Sequence, residues 1–238
     1  MYASTIESPI LLVGVAHVVD LTEPLRRVLG ERPLDGVAVE LDVERADALL
    51  RSPGGPERRR SGPLFVRFWS VIQRRLGSEI GGGTPGAEMK AAALIARDRH
   101  LPLFLIDDPL RTTIVNLVRT MPFKERVQLL FGAFVGLFVP ARVVEREIDR
   151  YVVAPTDYTE QLRQASPTLA RVLIDDRNEH MADRLVQLRG RGYGRMAAVV
   201  GDAHVTGLKN ALGRRGVPTE TVTFGELRGL TASRPSPS

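Results

Sequence analysis

The sequence predicts an α/β fold in which a central, mostly parallel sheet is flanked by helices. Two patterns carry this prediction: short apolar runs without polar alternation, and segments of helical periodicity that separate them. The length of the chain is consistent with this fold, because 238 residues suffice for one α/β domain with a sizeable core and are few for two domains. We therefore expect a single domain over residues 1–230, followed by a disordered tail at 231–238.

The strands and helices alternate along most of the chain. Buried strands are predicted at residues 10–15, 37–41, 103–106 and 196–200, and residues 219–224 have the composition of an edge strand. Helices are predicted at residues 23–29, 43–51, 86–98 and 205–212. Strands that alternate with helices in this way form parallel sheets with right-handed crossovers.

Between the third and fourth strands this alternation stops. From residue 110 to about residue 190 nearly every segment has helical periodicity, with prolines between segments, which predicts a helical insertion. Its stretch 129–139 is apolar throughout, but it is shorter than the roughly 18 residues that span a bilayer. We interpret this stretch as a buried helix; the alternative is an exposed apolar face that forms a homodimer or contacts a membrane.

The composition excludes several classes of protein. The chain has no cysteine, so disulfides, thiolate ligands and cysteine nucleophiles are absent, and any metal must bind nitrogen and oxygen. The net charge is +5, but the arginines are spread along the chain and aromatic residues are only 5%, so we expect no nucleic-acid partner. The first residues lack the pattern of a signal peptide, which predicts a cytoplasmic location. Phosphate-loop, dinucleotide and serine-nucleophile motifs are also lacking.

Two histidines occur in matching contexts near opposite ends of the chain. His17 follows the first strand in Gly-Val-Ala-His, and His204 follows the fourth in Gly-Asp-Ala-His. Parallel strands end at one edge of a sheet, so we expect the two imidazoles to lie close together. Gly14 and Gly201, three residues before each histidine, are predicted to relieve the backbone where the strand turns out. The alternative is that each histidine is a hydrogen-bonded structural residue.

Carboxylates follow the second and third strands. Glu40 and Asp42 end the second strand, and Asp107 and Asp108 end the third. A glutamate in this position is poorly solvated unless a cation faces it. Two imidazoles and a carboxylate make an open metal site that leaves a position for water. Asp42 and Asp108 have a second interpretation as helix N-caps.

Two further residues are candidates for catalysis. Glu88 falls near the start of a predicted helix, where a carboxylate either complements the helix dipole or acts as a general base. Arg177 lies on a charged amphipathic helix at residues 174–185. It either forms surface ion pairs, clamps a substrate carboxylate, or neutralises a carboxylate of the site.

In these elements the chain resembles the TraB family, which includes bacterial pheromone-shutdown proteins and is related to the GumN-like and TIKI proteins. The resemblance spans almost the whole chain in order and is carried by GVAHV at 14–18, VAVELDVERADAL at 37–49, GAEMKAA at 86–92, LIDDPLRTTIVNLVR at 105–119, IDDRNEHMADRL at 174–185 and VVGDAHVTGL at 199–208. The paired Gly-x-x-His elements are the signature of that family.

The resemblance implies an α/β fold with both histidines and the acidic residues in one site. TIKI relatives are metal-dependent peptidases, which implies a divalent ion, manganese or cobalt rather than zinc. On this basis the metal ligands are His17, His204 and Glu40, the catalytic residues are Glu88, Arg177 and Asp107, and the substrate contacts are Arg111 and Asp176. The family tends to have Glu-Arg where this chain has Asp176-Arg177.

We therefore expect a metal-dependent hydrolase that acts on a peptide or a related amide or ester. The alternative is a binding protein that captures a peptide signal without cleaving it. A third interpretation is a regulator at the membrane surface that uses the apolar stretch 129–139 and the scattered arginines.

Overall fold

The structure, a computed structural model, describes residues 8–16, 21–50, 86–128 and 155–232. The strands in these ranges are β1 (Ile10–Val15), β2 (Gly36–Val39), β3 (Leu103–Leu105), β4 (Met196–Gly201) and β5 (Thr219–Val222). The helices are α1 (Thr22–Gly30), α2 (Val43–Leu50), α3 (Ala87–Asp98), α4 (Leu110–Thr120), α5 (Pro155–Ala165), α6 (Pro167–Ala170), α7 (Asp176–Gly190), α8 (Asp202–Arg214) and α9 (Phe224–Ala232). A π-helical turn, Arg171–Asp175, joins α6 to α7.

The strands form one sheet in the order β3-β2-β4-β1-β5, and every neighbouring pair is parallel. The predicted α/β fold is therefore confirmed, and β5 lies at an edge as its composition indicates. β2 lies between β3 and β4, and Val15 at the end of β1 pairs with Gly201 at the end of β4. The chain thus leaves β3, β2, β4 and β1 at four neighbouring places along one edge of the sheet.

Helices cover both faces of the sheet. Leu11 and Val13 of β1 pack with residues of α1, α3 and α9, whereas Ile10 and Leu12 pack with residues of α7 and α8. Successive strand residues therefore point to opposite faces, as the pleat requires, and both faces are dry. Burial of such aliphatic side chains contributes about 1.5–3 kcal/mol each. This arrangement explains why the strands are apolar runs rather than alternating sequences.

Helix α7 packs through one side that carries a single polar residue. Met181, Leu185 and Leu188 recur every three or four residues and are buried against the sheet. Asn178 occupies the preceding position of the same series and is only 3% exposed. A buried amide needs hydrogen-bond partners, so this position indicates a polar contact between α7 and the elements that it packs against.

The described residues between β3 and β4 are mainly helical, in agreement with the predicted insertion. After α4, residues 123–128 are helical. Glu125 accepts the hydroxyl of Ser166 at 2.5 Å and the backbone N–H of Thr168 at 3.1 Å, which ties this segment to the start of α6. The apolar stretch 129–139 lies outside the described residues, so its interpretation as a buried helix stays a prediction. Among the described helices, none is long and apolar enough to cross a bilayer.

Candidate functional site

Several helices begin at the edge of the sheet where the strands end. α8 begins directly after β4, and α4 begins a few residues after β3. α3 and α7 each lead into a strand, β3 and β4 respectively, and in a right-handed crossover such a helix runs antiparallel to its strand. The first turns of α3 and α7 therefore lie at the same edge. Side chains from these turns and from the strand ends form the candidate site.

A largely buried arginine, Arg177 of α7, joins carboxylates that follow two different strands. Its Nε donates to Oδ1 of Asp107 at 2.9 Å and its Nη2 to Oδ2 of Asp107 at 2.6 Å, in the bidentate geometry that guanidinium and carboxylate favour. Nη2 also donates to Oε1 of Glu40. Oε2 of Glu40 accepts the backbone N–H of Gly201 at 2.6 Å. Of the roles predicted for Arg177, neutralising a carboxylate of the site is the one that the structure shows.

The π-helical turn before α7 provides a further contact to this arginine. The backbone carbonyl of Leu173 accepts a hydrogen bond from Arg177 Nη1 at 3.2 Å. Contacts on Nε, Nη1 and Nη2 together fix the plane of the guanidinium group between the two carboxylates. π-Helical turns are frequent at functional sites, and the sequence carries no pattern from which this one could be predicted.

A second arginine, Arg45 of α2, is absent from the set that the sequence singled out. Its Nε donates to Oδ2 of Asp42 at 2.8 Å, and its Nη2 donates to Oδ2 of Asp107. Oδ1 of Asp42 accepts the backbone N–H of Arg45 at 2.8 Å, so Asp42 is a helix cap, as its second interpretation held. An aspartate that caps a helix and is followed three residues later by an arginine is the sequence pattern from which the role of Arg45 could have been predicted.

The two arginines set the charge state of the carboxylates. Burial would raise the pKa of Asp107, but its hydrogen bonds to the two guanidinium groups and their charges bring it down to about 2. Burial would also raise the pKa of Glu40, but the charge of Arg177 and the hydrogen bond from the backbone N–H of Gly201 hold it below its ordinary value. Both carboxylates are therefore ionised at neutral pH. Together with Asp42, three carboxylates face two guanidinium groups, which leaves one net negative charge.

We expect Asp107 to make the fold less stable in acid. A carboxyl group whose pKa is lower in the folded than in the unfolded chain stabilises the fold above its unfolded-state pKa, and this contribution is lost as the pH falls through the folded-state pKa. For Asp107 the window runs from about pH 4 to about pH 2, and the loss is roughly 2 kcal/mol. Urea unfolding of the wild type and of Asp107→Asn measures it. The pH dependence of the unfolding free energy across this window should be weaker in the variant, and equal slopes would contradict the assignment.

His204 is buried in the first turn of α8, where it is 5% exposed. Its Nδ1 lies 2.9 Å from Oδ1 of Asn178, and its Nε2 lies 3.5 Å from Oε1 of Glu40. Burial lowers the pKa of His204, and the charge of Glu40 offsets only part of this effect, so the imidazole is neutral at neutral pH. With the amide oriented as in the structure, Nδ1 carries the proton and the lone pair of Nε2 faces the carboxylate.

The glycines of the two Gly-x-x-His elements leave room for neighbouring side chains and do not provide a special backbone conformation. Gly201 has φ −57°, and Gly14 is not among the described glycines with positive φ, so the predicted relief of the backbone is wrong. A Cβ at Gly14 would instead lie 2.2 Å from Oδ1 of Asp202, and a Cβ at Gly201 would lie 3.3 Å from Oε2 of Glu40. Both glycines therefore leave room for carboxylates at the edge of the sheet.

The remaining predicted residues lie in different surroundings. Glu88 is 2% exposed in the first turn of α3, which packs against β2. Arg111 is exposed near the start of α4. Asp176 is exposed, with its Oδ2 3.8 Å from Nη1 of Arg171. His17 lies outside the described residues.

A partly exposed pair, Asp108 and His180, adjoins the cluster that Glu40, Asp42, Asp107, Arg45 and Arg177 form. Asp108 was predicted at this edge of the sheet, whereas the position of His180 was not predicted. Nδ1 of His180 lies 3.2 Å from Oδ1 of Asp108, and the side chains are 34% and 32% exposed. The backbone N–H of Asp108 donates to Oδ1 of Asp107 at 2.8 Å. His180 lies three residues after Arg177 on α7, and this spacing is the signal that could have placed it beside the site. The pair thus brings an imidazole and a carboxyl group to the solvent-exposed side of the cluster.

The predicted metal ligands are only partly within the described ranges. There, no group of three His, Asp or Glu side chains has an arrangement that could hold a metal ion. His204 and Glu40 face each other, and His17, the third predicted ligand, lies outside those ranges.

Comparisons with known proteins agree on one relationship. The model of the TraB/PrgY/gumN family matches residues 4–220 of the chain. The chain is also 30% identical over 211 residues to the uncharacterized protein MJ1365 of Methanocaldococcus jannaschii. That alignment covers 85% of this chain and 53% of the relative, so the chain spans about half the length of the relative.

Proposed function

The chain belongs to the TraB/PrgY/gumN family, and from this premise we propose that it is a metal-dependent hydrolase that cleaves a peptide or a related amide or ester. One observation carries the proposal. The imidazole of His204 is held at Nδ1 by an amide oxygen, and its Nε2 faces an oxygen of Glu40 at 3.5 Å inside a largely buried cluster.

This arrangement fits a metal ligand pair. Two acceptors that face each other in a buried place repel unless a cation or a proton lies between them. Arg177 takes one lone pair of Glu40 Oε1, and the second remains available to a cation. An imidazole whose other nitrogen is fixed by an oxygen acceptor is the usual arrangement of a metal-binding histidine. The net negative charge of the surrounding side chains favours a cation in the same place.

We propose His17 as the third ligand. Val15 pairs with Gly201, whose N–H holds Glu40, so β1 ends beside the cluster. In sequence, His17 follows Val15, the last residue of β1, by two positions. The resemblance to TIKI proteins supports manganese or cobalt, and imidazole and carboxylate ligands suit either ion as well as zinc. A divalent ion held by these residues would polarise the scissile carbonyl group and lower the pKa of a water molecule.

The protein's own residues would position and activate the reactants. Arg177 has five N–H donors, and its hydrogen bonds to Asp107, Glu40 and Leu173 use four of them. The remaining donor, on Nη1, is proposed to bind an oxygen of the substrate, while Asp107 holds the guanidinium in place. Glu88, buried at the same edge of the sheet, is proposed to accept the proton of the attacking water. Arg111 and Asp176, both exposed, are proposed to contact more distant parts of the substrate.

Metal titration of the purified chain tests the proposal before any substrate is known. The wild type is expected to bind one manganese or cobalt ion per chain, and His204→Ala and His17→Ala are expected to lose this binding. His180→Ala is the matched control, because this histidine lies on the exposed side of the cluster and is no proposed ligand. A peptide-library cleavage assay with and without chelator then tests the reaction.

Two results would contradict the proposal. The first is a folded wild type that binds no divalent ion. The second is equal loss of binding in the His204 and His180 variants, which would mean that the buried imidazole has no specific role in binding. Recovery of an intact bound peptide after long incubation with the metal-loaded protein, together with peptide binding that does not require metal, would instead favour the alternative, a protein that captures a peptide signal without cleaving it.

A further inference from the structure

Exposed apolar side chains are concentrated in one part of the described chain. Of the large apolar residues that are exposed in the described ranges, two lie on α2 and all others lie between residues 110 and 127. We call the latter set, together with the basic residues between them, the 110–127 face; its apolar members are Leu110, Val115, Val118, Phe123 and Val127. Phe123 is 79% exposed and Val118 is 59% exposed. A cluster of this kind on a folded chain indicates an interaction surface.

Helix α4 turns its apolar and basic side away from the protein. Arg111, Val115 and Val118 recur at intervals of four and three residues, so they share one side of the helix. Thr113 and Leu117, on the opposite side, are buried. The exposed stripe is therefore a consequence of how α4 packs.

The helical residues 123–128 also turn apolar side chains away from the protein. Glu125 binds Ser166 and Thr168 of the protein body. Phe123 and Val127, each two residues away from Glu125, project from the opposite side of the helix. Arg126 donates to the carbonyl of Val118 at 2.6 Å, which ties this segment to the end of α4.

The charges of this face have one sign. Arg111, Arg119 and Lys124 are exposed and form no ion pair with any residue that the structure describes. The acidic residue of the segment, Glu125, is directed inward. A surface that combines aromatic and aliphatic side chains with unpaired cations is complementary to the headgroups and the acyl boundary of an anionic bilayer. In a twofold dimer the same face would meet itself and bring its cations together, which is unfavourable.

We propose that the 110–127 face binds the surface of an anionic lipid bilayer. The inference is independent of the hydrolase proposal, because it depends only on exposure and charge. It also has a geometric consequence: the N–H of Leu110 donates to Asp42 of the site cluster at 3.1 Å, so α4 begins at the candidate site. A bilayer on this face would therefore lie beside the site.

Co-sedimentation of the full chain with vesicles tests the proposal. Binding is expected on phosphatidylcholine vesicles that contain phosphatidylserine, and it should weaken with rising salt and be much weaker on phosphatidylcholine alone. The double variant Val118→Asp/Phe123→Asp should lower the partition coefficient at least about tenfold. Arg119→Gln/Lys124→Gln should weaken binding to the anionic vesicles and leave binding to neutral vesicles unchanged.

Two controls lie outside the face. Leu50→Asp on α2 places an acid at an apolar residue that is 43% exposed, and Arg26→Gln removes an exposed cation of α1. Both are expected to bind like the wild type, and circular dichroism verifies that every variant is folded. The proposal is overturned if the wild type does not sediment with anionic vesicles at low salt, or if Leu50→Asp weakens binding as much as the face variant. It is also overturned if light scattering shows that the face variant converts a dimer into monomers, because the face is then covered by a second copy.

Discussion

Replacement of Arg177 by methionine is expected to lower the free energy of unfolding by about 3–5 kcal/mol. The change leaves Glu40 without its guanidinium partner and Asp107 with only that of Arg45, in a place where both carboxylates are poorly solvated. Methionine retains an unbranched apolar chain, so the loss reports the missing charge more than missing packing. Urea unfolding at neutral pH measures it.

An arginine on the surface provides the matched control. Arg163 pairs with Asp175 at 2.6 Å, but the two side chains are 43% and 38% exposed, so Arg163→Met should cost less than about 1 kcal/mol. Adding Glu40→Gln to Arg177→Met should restore part of the lost stability, because it removes the unpaired charge. Equal losses in the two arginine variants would mean that the cluster is not electrostatically coupled.

The fold could be predicted because its signals are local. The predicted first strand, residues 10–15, has the same bounds as β1, and the ends of the other strands agree within two residues. Burial on both faces makes each strand a continuous apolar run, and such runs are visible without knowledge of their neighbours. The order of the strands in the sheet could not be predicted in this way, because it depends on which apolar surfaces meet.

The candidate site could be predicted only where it lies on strand ends. Glu40, Asp107 and His204 follow strands, and parallel strands end at one edge, so their proximity follows from the fold class. Arg45 and Asn178 lie on helices and meet partners 62 and 26 residues away. Whether they reach the site depends on the rotation of α2 and α7 about their axes, which packing of the whole domain determines.

The substitution Gly207→Ala is expected to weaken metal binding with little change in the free energy of unfolding. A Cβ there would lie 2.1 Å from Nδ2 of Asn178, so the amide must move away and release Nδ1 of His204. Alanine favours the helix over glycine by about 1 kcal/mol, which offsets the displacement of one flexible side chain. The free energy of unfolding should therefore change by less than about 1 kcal/mol. If the proposed metal site is correct, metal affinity should fall about 10- to 100-fold, since the imidazole is no longer oriented.

Gly213 on the same helix gives the comparison, because a Cβ there has no atom within 4 Å. Gly213→Ala should stabilise α8 slightly and leave metal affinity unchanged. Nitrogen NMR of the imidazole provides a readout that does not depend on metal: His204 should carry its proton on Nδ1 in the wild type and in Gly213→Ala, and lose this preference in Gly207→Ala. Unchanged affinity despite a changed tautomer would mean that Asn178 orients His204 for a purpose other than metal binding. An unchanged tautomer would mean that the amide does not hold the ring at all.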